Sequence, residues 1–526
     1  MFPGRPARLL LPLALGVLVC HAALLADWVV DDAGITFAYA RNLGGGLGLV
    51  SQPGVEPVEG FSNPLWTFVL APFFTAGMFH PLWTPKLLSL ALLGLSFLLI
   101  GRATPGDDGV EGWLLASAPL LLALDASFVV WTTSGLENPL LVVLLVVSAT
   151  LAFRLREDSA PRTAFLGGCV GGLIALTRPE GAAYLGAFGC SLVFLGTRRG
   201  LVRSLGAFVT GAGILIGPYL AFRCLYFQDW VPNTYHAKVR SWLVADDPTR
   251  LAELLSSAAG RLAPIVALLL LIGLATAIRR RTPRDHAFLV VSLYLATAGA
   301  VYLILPPDWM GEFRFATPFF LFFFWLTSLA LATAFRMLRS RGWRVGFAVP
   351  VAAMLLVAED ARVNADRSMD FATAPTVPFE RIADFGRAYD GLAAFLPGGR
   401  GSLLLPDLGG TLFTSTRLRL YDLAGLCDKT VARTLMDDTG AFHDYVFETA
   451  RPSFIHVHGS WAGWAALHGD PRFVRDYVPL HETWSGGEGG EPRAGDYVRR
   501  DQADDSGRLE RLRAEFVRLG LGRPLP

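Results

Sequence analysis

Residues 31–66 read DDAGITFAYARNLGGGLGLVSQPGVEPVEGFSNPLW, and the relation of this stretch to the apolar run before it decides the fold. Residues 9–26 are apolar over nearly the ~20 residues that cross ~30 Å of hydrocarbon. The stretch then opens on two acids, Asp31 and Asp32. Carboxylates suit the positive end of a helix, so the pair starts a short helix. Gly44, Gly45 and Gly46 stop it, because glycine takes the left-handed C-terminal conformation without strain. Pro53, Gly54, Pro57, Gly60 and Pro64 supply turns. The result is a folded loop, 27–84, carrying short juxtamembrane helices. The two acids are either caps or chemistry, and composition alone leaves both readings open.

The whole chain is 52% hydrophobic and 17% charged, against roughly 25% charged in soluble domains. Charges are sparse up to residue 358 and dense after it. This divides the chain into a membrane part, 1–358, and a C-terminal part, 359–526, long enough to bury its own core. A net charge of +1 offers no electrostatic footprint for nucleic acid. The cysteines (20, 169, 190, 224 and 427) are scattered, without metal-site spacing.

Apolar runs fall at 9–26, 87–101, 112–131, 138–153, 163–177, 181–197, 204–222, 262–278, 286–305, 315–335 and 345–358, with a twelfth at 64–79. Arginines crowd alternate connections: Arg154, Arg156 and Arg162; Arg198, Arg199 and Arg203; Arg279, Arg280, Arg281 and Arg284; Arg336, Arg339, Arg341 and Arg344. Cytoplasmic connections carry the excess of positive charge, and the N-terminus, with Arg5 and Arg8, is basic too. Both patterns agree only if 64–79 does not cross and is an interfacial or re-entrant helix. The expectation is a polytopic α-helical protein of the bacterial cytoplasmic membrane. It has about eleven spans, the N-terminus inside and the C-terminal domain outside. Were 9–26 a cleaved signal peptide, Asp31 would lie on the same side.

This topology gathers polar residues on the outer face: Asp31, Asp32, Glu56, Glu59, Glu137, Arg178, Glu180, Asp229, Asn233, His236, Lys238, Arg240, Asp308, Glu312 and Arg314. Outer connections need no arginine for orientation. Arg178 in TRPEG and Arg314 in GEFRF each abut an apolar run, where charge is costly and tends to be functional. A salt bridge to Glu180, or to Glu312 or Asp308, explains either one alone, but not the gathering of the whole set. Asp125 lies within an apolar run and is a functional candidate or the partner of an arginine.

With these residues assembled, the chain resembles the large polytopic glycosyltransferases of the GT-C class, which use polyprenyl-phosphate-linked sugars. DDAGITFAYARNL and PVEGFSNPLW are similar to the branch containing the mycobacterial terminal β-(1→2) arabinofuranosyltransferase. So are SGLENPL (134–140), TRPEG (177–181), YFQDWVPNTYHAK (226–238), DWMGEFRF (308–315), PDLGG (406–410) and LYDLAGLCDKTVAR (420–433). Gly34 and Ala38 stand where that branch usually has an aromatic residue and an arginine, a departure expected to alter the sugar pocket.

The resemblance implies an inverting transfer of a sugar from a polyprenyl-phosphate donor to a glycan, lipid or protein acceptor in the cell envelope. It makes Asp31 the general base and Asp32 a supporting residue that orients the acceptor or a cation. The donor phosphate needs cations. Arg178 and Arg314 are the first choices, because guanidinium grips phosphate bidentately, and Lys238 and His236 the second. Glu59, Glu137, Asn233 and Asp308 are candidates for sugar hydroxyls; Glu137 caps the following helix and Asn233 shapes a turn on the plainer reading. Some members of the class use a divalent cation, but two adjacent acids are not a complete ligand set. A transporter or flippase of lipid-linked saccharide, and a glycan ligase, are the rival readings. Transporters tend to show internal repeats and interrupted midplane helices, and the sequence shows neither.

In the C-terminal part, a helical run at 378–396 precedes apolar strands at 402–406, 418–423 and 453–457, with helical runs at 428–436 and 441–450 between. This reads as a small α/β domain. Asp407 and Asp422 sit at strand ends, His456 and His458 share one strand face, and 484–495 is a glycine-rich hairpin loop.

Overall fold

A computed structural model describes residues 5–104, 108–155, 161–196, 200–238, 249–280, 282–340, 342, 348–483, 494–503 and 507–521. Arg156, Arg198, Arg199, Arg240, Arg281, Arg341, Arg344 and most of the 484–495 loop lie outside the described residues.

Among the described residues, five helices are long and apolar enough to cross a membrane. They are Trp83–Ala103, Leu201–Tyr226, Ala263–Arg280, Pro283–Ile304 and Arg314–Arg339. Shorter apolar helices cover Arg8–Leu24, Pro64–Thr75, Asn138–Arg154 and Pro179–Leu195. The apolar run read as one span at 112–131 is broken. Val110–Leu124 and Ala126–Thr133 meet at a 64° bend, and Asp125 stands at the break. Its carboxylate accepts the Phe128 amide at 2.7 Å, so the acid is a helix cap that ends one helix and starts the next. Thr317–Arg339 is buried on every side, as expected of a helix apolar all round its circumference. It is the axle of the bundle, and Arg314 sits just ahead of its first turn.

The acids do begin a helix, Asp32–Gly44, and Pro64–Thr75 packs on it. At 12 residues the second helix is ~18 Å long, short of the hydrocarbon thickness. The helix Ala348–Thr373 runs unbroken across position 358, from apolar into charged sequence.

The C-terminal sheet has five strands: β1 Gly401–Leu405, β2 Leu418–Asp422, β3 Phe454–Val457, β4 Tyr477–Thr483 and β5 Ala494–Arg499, in the order β2-β1-β3-β5-β4. β1 lies parallel to β2 and β3; β5 is antiparallel to β3 and β4. Side chains alternate between two buried faces. Leu403 and Leu405 join Tyr389 and Leu412 on one face, and Leu404, Ile455 and Val457 join Val431 and Phe442 on the other. The sequence shows the first three strands. It hides β4, which Pro479 interrupts, and β5, which carries Asp496 and Arg499.

The 27–84 loop and the C-terminal part are joined by backbone. Asp31 N–H donates to Val377 O at 3.0 Å and Phe379 N–H to Val29 O at 2.7 Å. Gln52 extends the β2 edge by exchanging two 2.9 Å hydrogen bonds with Leu420. Gly34 lies against Gly409, where a Cβ would come within 2.5 Å of the Gly409 carbonyl carbon and oxygen. The departure from an aromatic residue at 34 therefore serves this junction. Overpacking of this kind costs ~1–3 kcal/mol. Gly34→Ala should lower the thermal unfolding midpoint of the purified protein, and an unchanged midpoint would show that the junction is loose.

Candidate active site

Consecutive residues at a helix start point to different sides, and the two acids do so here. The Asp31 carboxylate accepts the amides of Gly410 at 2.6 Å and Gly409 at 3.1 Å, and the residue is 6% exposed. Burial pushes this carboxyl well above the usual carboxylate range, against the Gly410 amide, with the charges of Asp32 and Asp407 adding to the rise. The Asp32 side chain is 27% exposed and pairs with Arg314, Nη1 to Oδ2 at 3.0 Å. Burial alone would raise its carboxyl, but Arg314 and Lys238 together outweigh burial and hold it below the usual range. Two neighbouring acids thus titrate apart, and Asp32 is the one that is ionised and reachable.

Around Asp32 stand the cations. Lys238, exposed at the end of the short helix Asn233–Lys238, feels the charges of Asp32, Arg314, Asp308 and Arg178. Arg314 and Arg178 line one small cavity with Phe315 and Asn138. The two guanidinium carbons lie 5.6 and 5.2 Å from the Phe315 ring centre, a cation–π arrangement that holds like charges close together. Arg314 Nε lies 3.7 Å from Asp308 Oδ2. Both atoms are buried and neither has a hydrogen-bond partner, so the site keeps one unsatisfied donor and one unsatisfied acceptor side by side.

The segment leading into Arg314 is strained. Gly311, Glu312 and Phe313 have φ of 74°, 46° and 51°, and two consecutive non-glycine residues in the left-handed region persist only where surroundings enforce them. The enforcement is visible at Glu312. Its carbonyl accepts Trp131 Nε1–H at 2.8 Å, and its carboxylate accepts Ser127 Oγ–H at 3.0 Å and pairs with Arg367. Arg367 escaped the sequence reading because it lies in the charged run past 358, without a motif to mark it.

Several sequence candidates are occupied elsewhere. Glu59, 2% exposed, accepts Tyr219 Oη–H at 2.6 Å and Arg223 at 2.6 and 3.0 Å, so it ties the loop to Leu201–Tyr226 and has no face for sugar. Glu137 accepts Asn63 at 2.7 Å and Arg178 at 2.6 Å, with no cap to its own helix. It positions Arg178. Asn233 donates to the carbonyls of Gly425 and Leu426 at 2.7 and 3.0 Å. His236 pairs with Asp229 at 3.1 Å and does not join Asp32. Asp308, Arg178, Arg314 and Lys238 do join it. Asp422 accepts the amides of Ala424 and Cys427 at 2.9 and 2.7 Å, a turn residue whose carboxyl burial pushes up to about 7.

A divalent cation does not fit these residues. Among the described residues no three His, Cys, Asp or Glu side chains gather as a ligand set, and an ion at Asp32 would meet the like charges of Arg314 and Lys238.

No family model and no curated protein matches the chain. Solved structures do. ArnT from Cupriavidus metallidurans, bound to undecaprenyl phosphate, aligns over 93% of this chain and 97% of its own, with 15% identity and a TM-score of 0.56. The oligosaccharyltransferase AglB from Archaeoglobus fulgidus, with an inhibitory peptide and a dolichol-phosphate, aligns over 89% and 72%, with 11% identity and a TM-score of 0.52. An oligosaccharyltransferase from Archaeoglobus fulgidus in complex with Zn and sulfate aligns over 91% and 73%, with 12% identity and a TM-score of 0.51.

The state of Asp31 gives a stability test. A carboxyl raised on folding contributes most below its ordinary value near 3.8 and loses that contribution as pH rises through the folded value. The unfolding midpoint of wild type relative to Asp31→Asn should therefore fall as pH rises from about 4 to 8. A constant difference would contradict the burial of Asp31. These comparisons and the helical bundle agree on one conclusion: this chain shares the fold of ArnT and of the archaeal oligosaccharyltransferase AglB.

Proposed function

We propose that the protein is an inverting glycosyltransferase. It moves a sugar from a polyprenyl-phosphate carrier to a cell-envelope glycan, lipid or protein acceptor at the outer face of the bacterial cytoplasmic membrane. The observation that carries this is the ionised, half-buried Asp32 set among Arg314, Lys238 and Arg178. One carboxylate ringed by cations, beside the apolar bundle, suits a lipid phosphate and a hydroxyl that must lose a proton. ArnT and AglB, solved with polyprenyl-type phosphates, support the donor class. The arabinofuranosyl branch that the sequence resembles makes an arabinofuranosyl carrier the first donor to try. The alternation of basic turns supports the eleven-span arrangement with the C-terminal domain outside.

The resemblance makes Asp31 the base; the geometry favours Asp32, because Asp31 is spent on the Gly409 and Gly410 amides. In the reaction, the arriving phosphate competes for Arg314, whose Nε is already an unsatisfied donor, and so frees Asp32. Asp32 takes the acceptor hydroxyl proton as that oxygen bonds to the anomeric carbon. The bond from that carbon to the phosphate oxygen breaks, and the leaving polyprenyl phosphate keeps the electron pair, stabilised by Arg314 and Lys238. One displacement inverts the anomeric carbon.

With synthetic polyprenyl-phosphate sugars and purified protein, Asp32→Asn should lose at least ~10²-fold in turnover, and Asp31→Asn far less. Full activity in Asp32→Asn would overturn the assignment. Because cations depress the Asp32 carboxyl, the acid limb of the rate profile should lie below the usual carboxylate range. Lys238→Met should move that limb to higher pH; an unmoved limb would separate Lys238 from the base.

A further inference from the structure

Behind Asp31, away from Asp32, lies the carboxyl edge of the C-terminal sheet. The chain leaves the parallel neighbours β1 and β3 toward opposite faces. After β1 it enters Gly409–Thr414, whose Leu412 belongs to the Tyr389 face; after β3 it enters Gly459–Ala465, whose Ala462 and Ala465 belong to the other. Such divergence opens a crevice at the strand ends, where sheets of this kind hold ligands.

The crevice is furnished. At its mouth His458 Nε2 meets Asp407 Oδ2 at 2.7 Å, with side chains 34% and 24% exposed. One step back on the same strand face is His456, 6% exposed, its ring centre 5.3 Å from that of His458. His456 Nδ1 donates to Asp496 Oδ1 at 2.6 Å, and Asp496 also accepts the Tyr389 hydroxyl. A carboxylate only accepts, so the proton sits on Nδ1 and Nε2 presents a lone pair. Asp496 holds Nδ1 from β5, on the opposite side of β3 from β1, and leaves Nε2 out of this pairing. That nitrogen is buried without a hydrogen-bond partner, a state that ordinarily costs a structure stability unless a ligand or water completes it.

Charge selects the ligand. Asp407 and Asp496 outnumber Arg381, which lies within the field of Asp407, so an anion is repelled. A carboxylate and an imidazole lone pair side by side ask for donors that carry no charge, as the vicinal hydroxyls of a sugar do. The geometry points to a saccharide subsite in the β1/β3 crevice, in which Asp407 and His456 Nε2 accept sugar hydroxyls and His458 closes the mouth. Calling that saccharide the acceptor rests on the transferase reading; the binding itself does not. Asp31, bonded to the loop after β1, places the subsite against the transfer site.

The test is calorimetric titration of the full chain in nanodiscs with neutral tetrasaccharides of arabinose, mannose and galactose, beside sodium phosphate and zinc chloride. At least one tetrasaccharide should bind, phosphate should not, and Asp407→Asn and His458→Gln should each weaken binding at least tenfold with unfolding midpoints kept. His456→Phe should do the same; should it fail to fold, the two mouth variants decide. In transfer assays the mouth variants should raise the acceptor KM more than they lower kcat. Absence of saccharide binding, binding indifferent to both mouth variants, or zinc binding that depends on them would overturn the subsite. Saccharide binding without any transfer would overturn the transferase reading and leave the subsite standing, so the two failures are distinguishable.

Discussion

The peptide unit between Asp31 and Asp32 is held from two sides, and the site depends on that. One carboxylate is fastened to the Gly409 and Gly410 amides of the C-terminal sheet; the next, one residue on, is fastened to Arg314 at the head of the buried Thr317–Arg339 helix. The junction of loop and sheet therefore sets the direction of the acid in the site. Gly34, packed on Gly409 one turn along, leaves no slack for the helix to roll.

Arg314 is prepared by equal constraint. Three successive residues of positive φ precede it, strain that the Glu312 contacts with Trp131, Ser127 and Arg367 hold in place. Those contacts come from Ala126–Thr133, which exists as a separate helix only because Asp125 breaks the apolar run, and from Ala348–Thr373. An apolar helix with a break is thus part of how the site is built. The unsatisfied Arg314 Nε beside Asp308 is where this preparation stays incomplete without a ligand.

The acid pair, the two anomalous arginines and the α/β character of the C-terminal part were legible from sequence because each leaves a local mark: carboxylates after an apolar run, charge where topology needs none, short apolar strands between helical runs. What was not legible is which polar residues are already spent. Glu59 is consumed by Tyr219 and Arg223, more than 150 residues away in the chain, and Glu137 by Asn63 and Arg178. In sequence they look as available as Asp32. The hydrogen bonding of Asp31 was hidden for the same reason, since it meets its amides nearly 380 residues on.

The most direct measurement of the central claim is an experimental structure of the protein with a polyprenyl phosphate bound. The expected result is a phosphate within hydrogen-bond reach of Arg314 and Lys238, with the Arg314–Asp32 pair opened and Asp31 still on Gly409 and Gly410. A phosphate seated away from Arg314, or an Asp31 carboxylate turned into the site while Asp32 stays paired, would contradict the account.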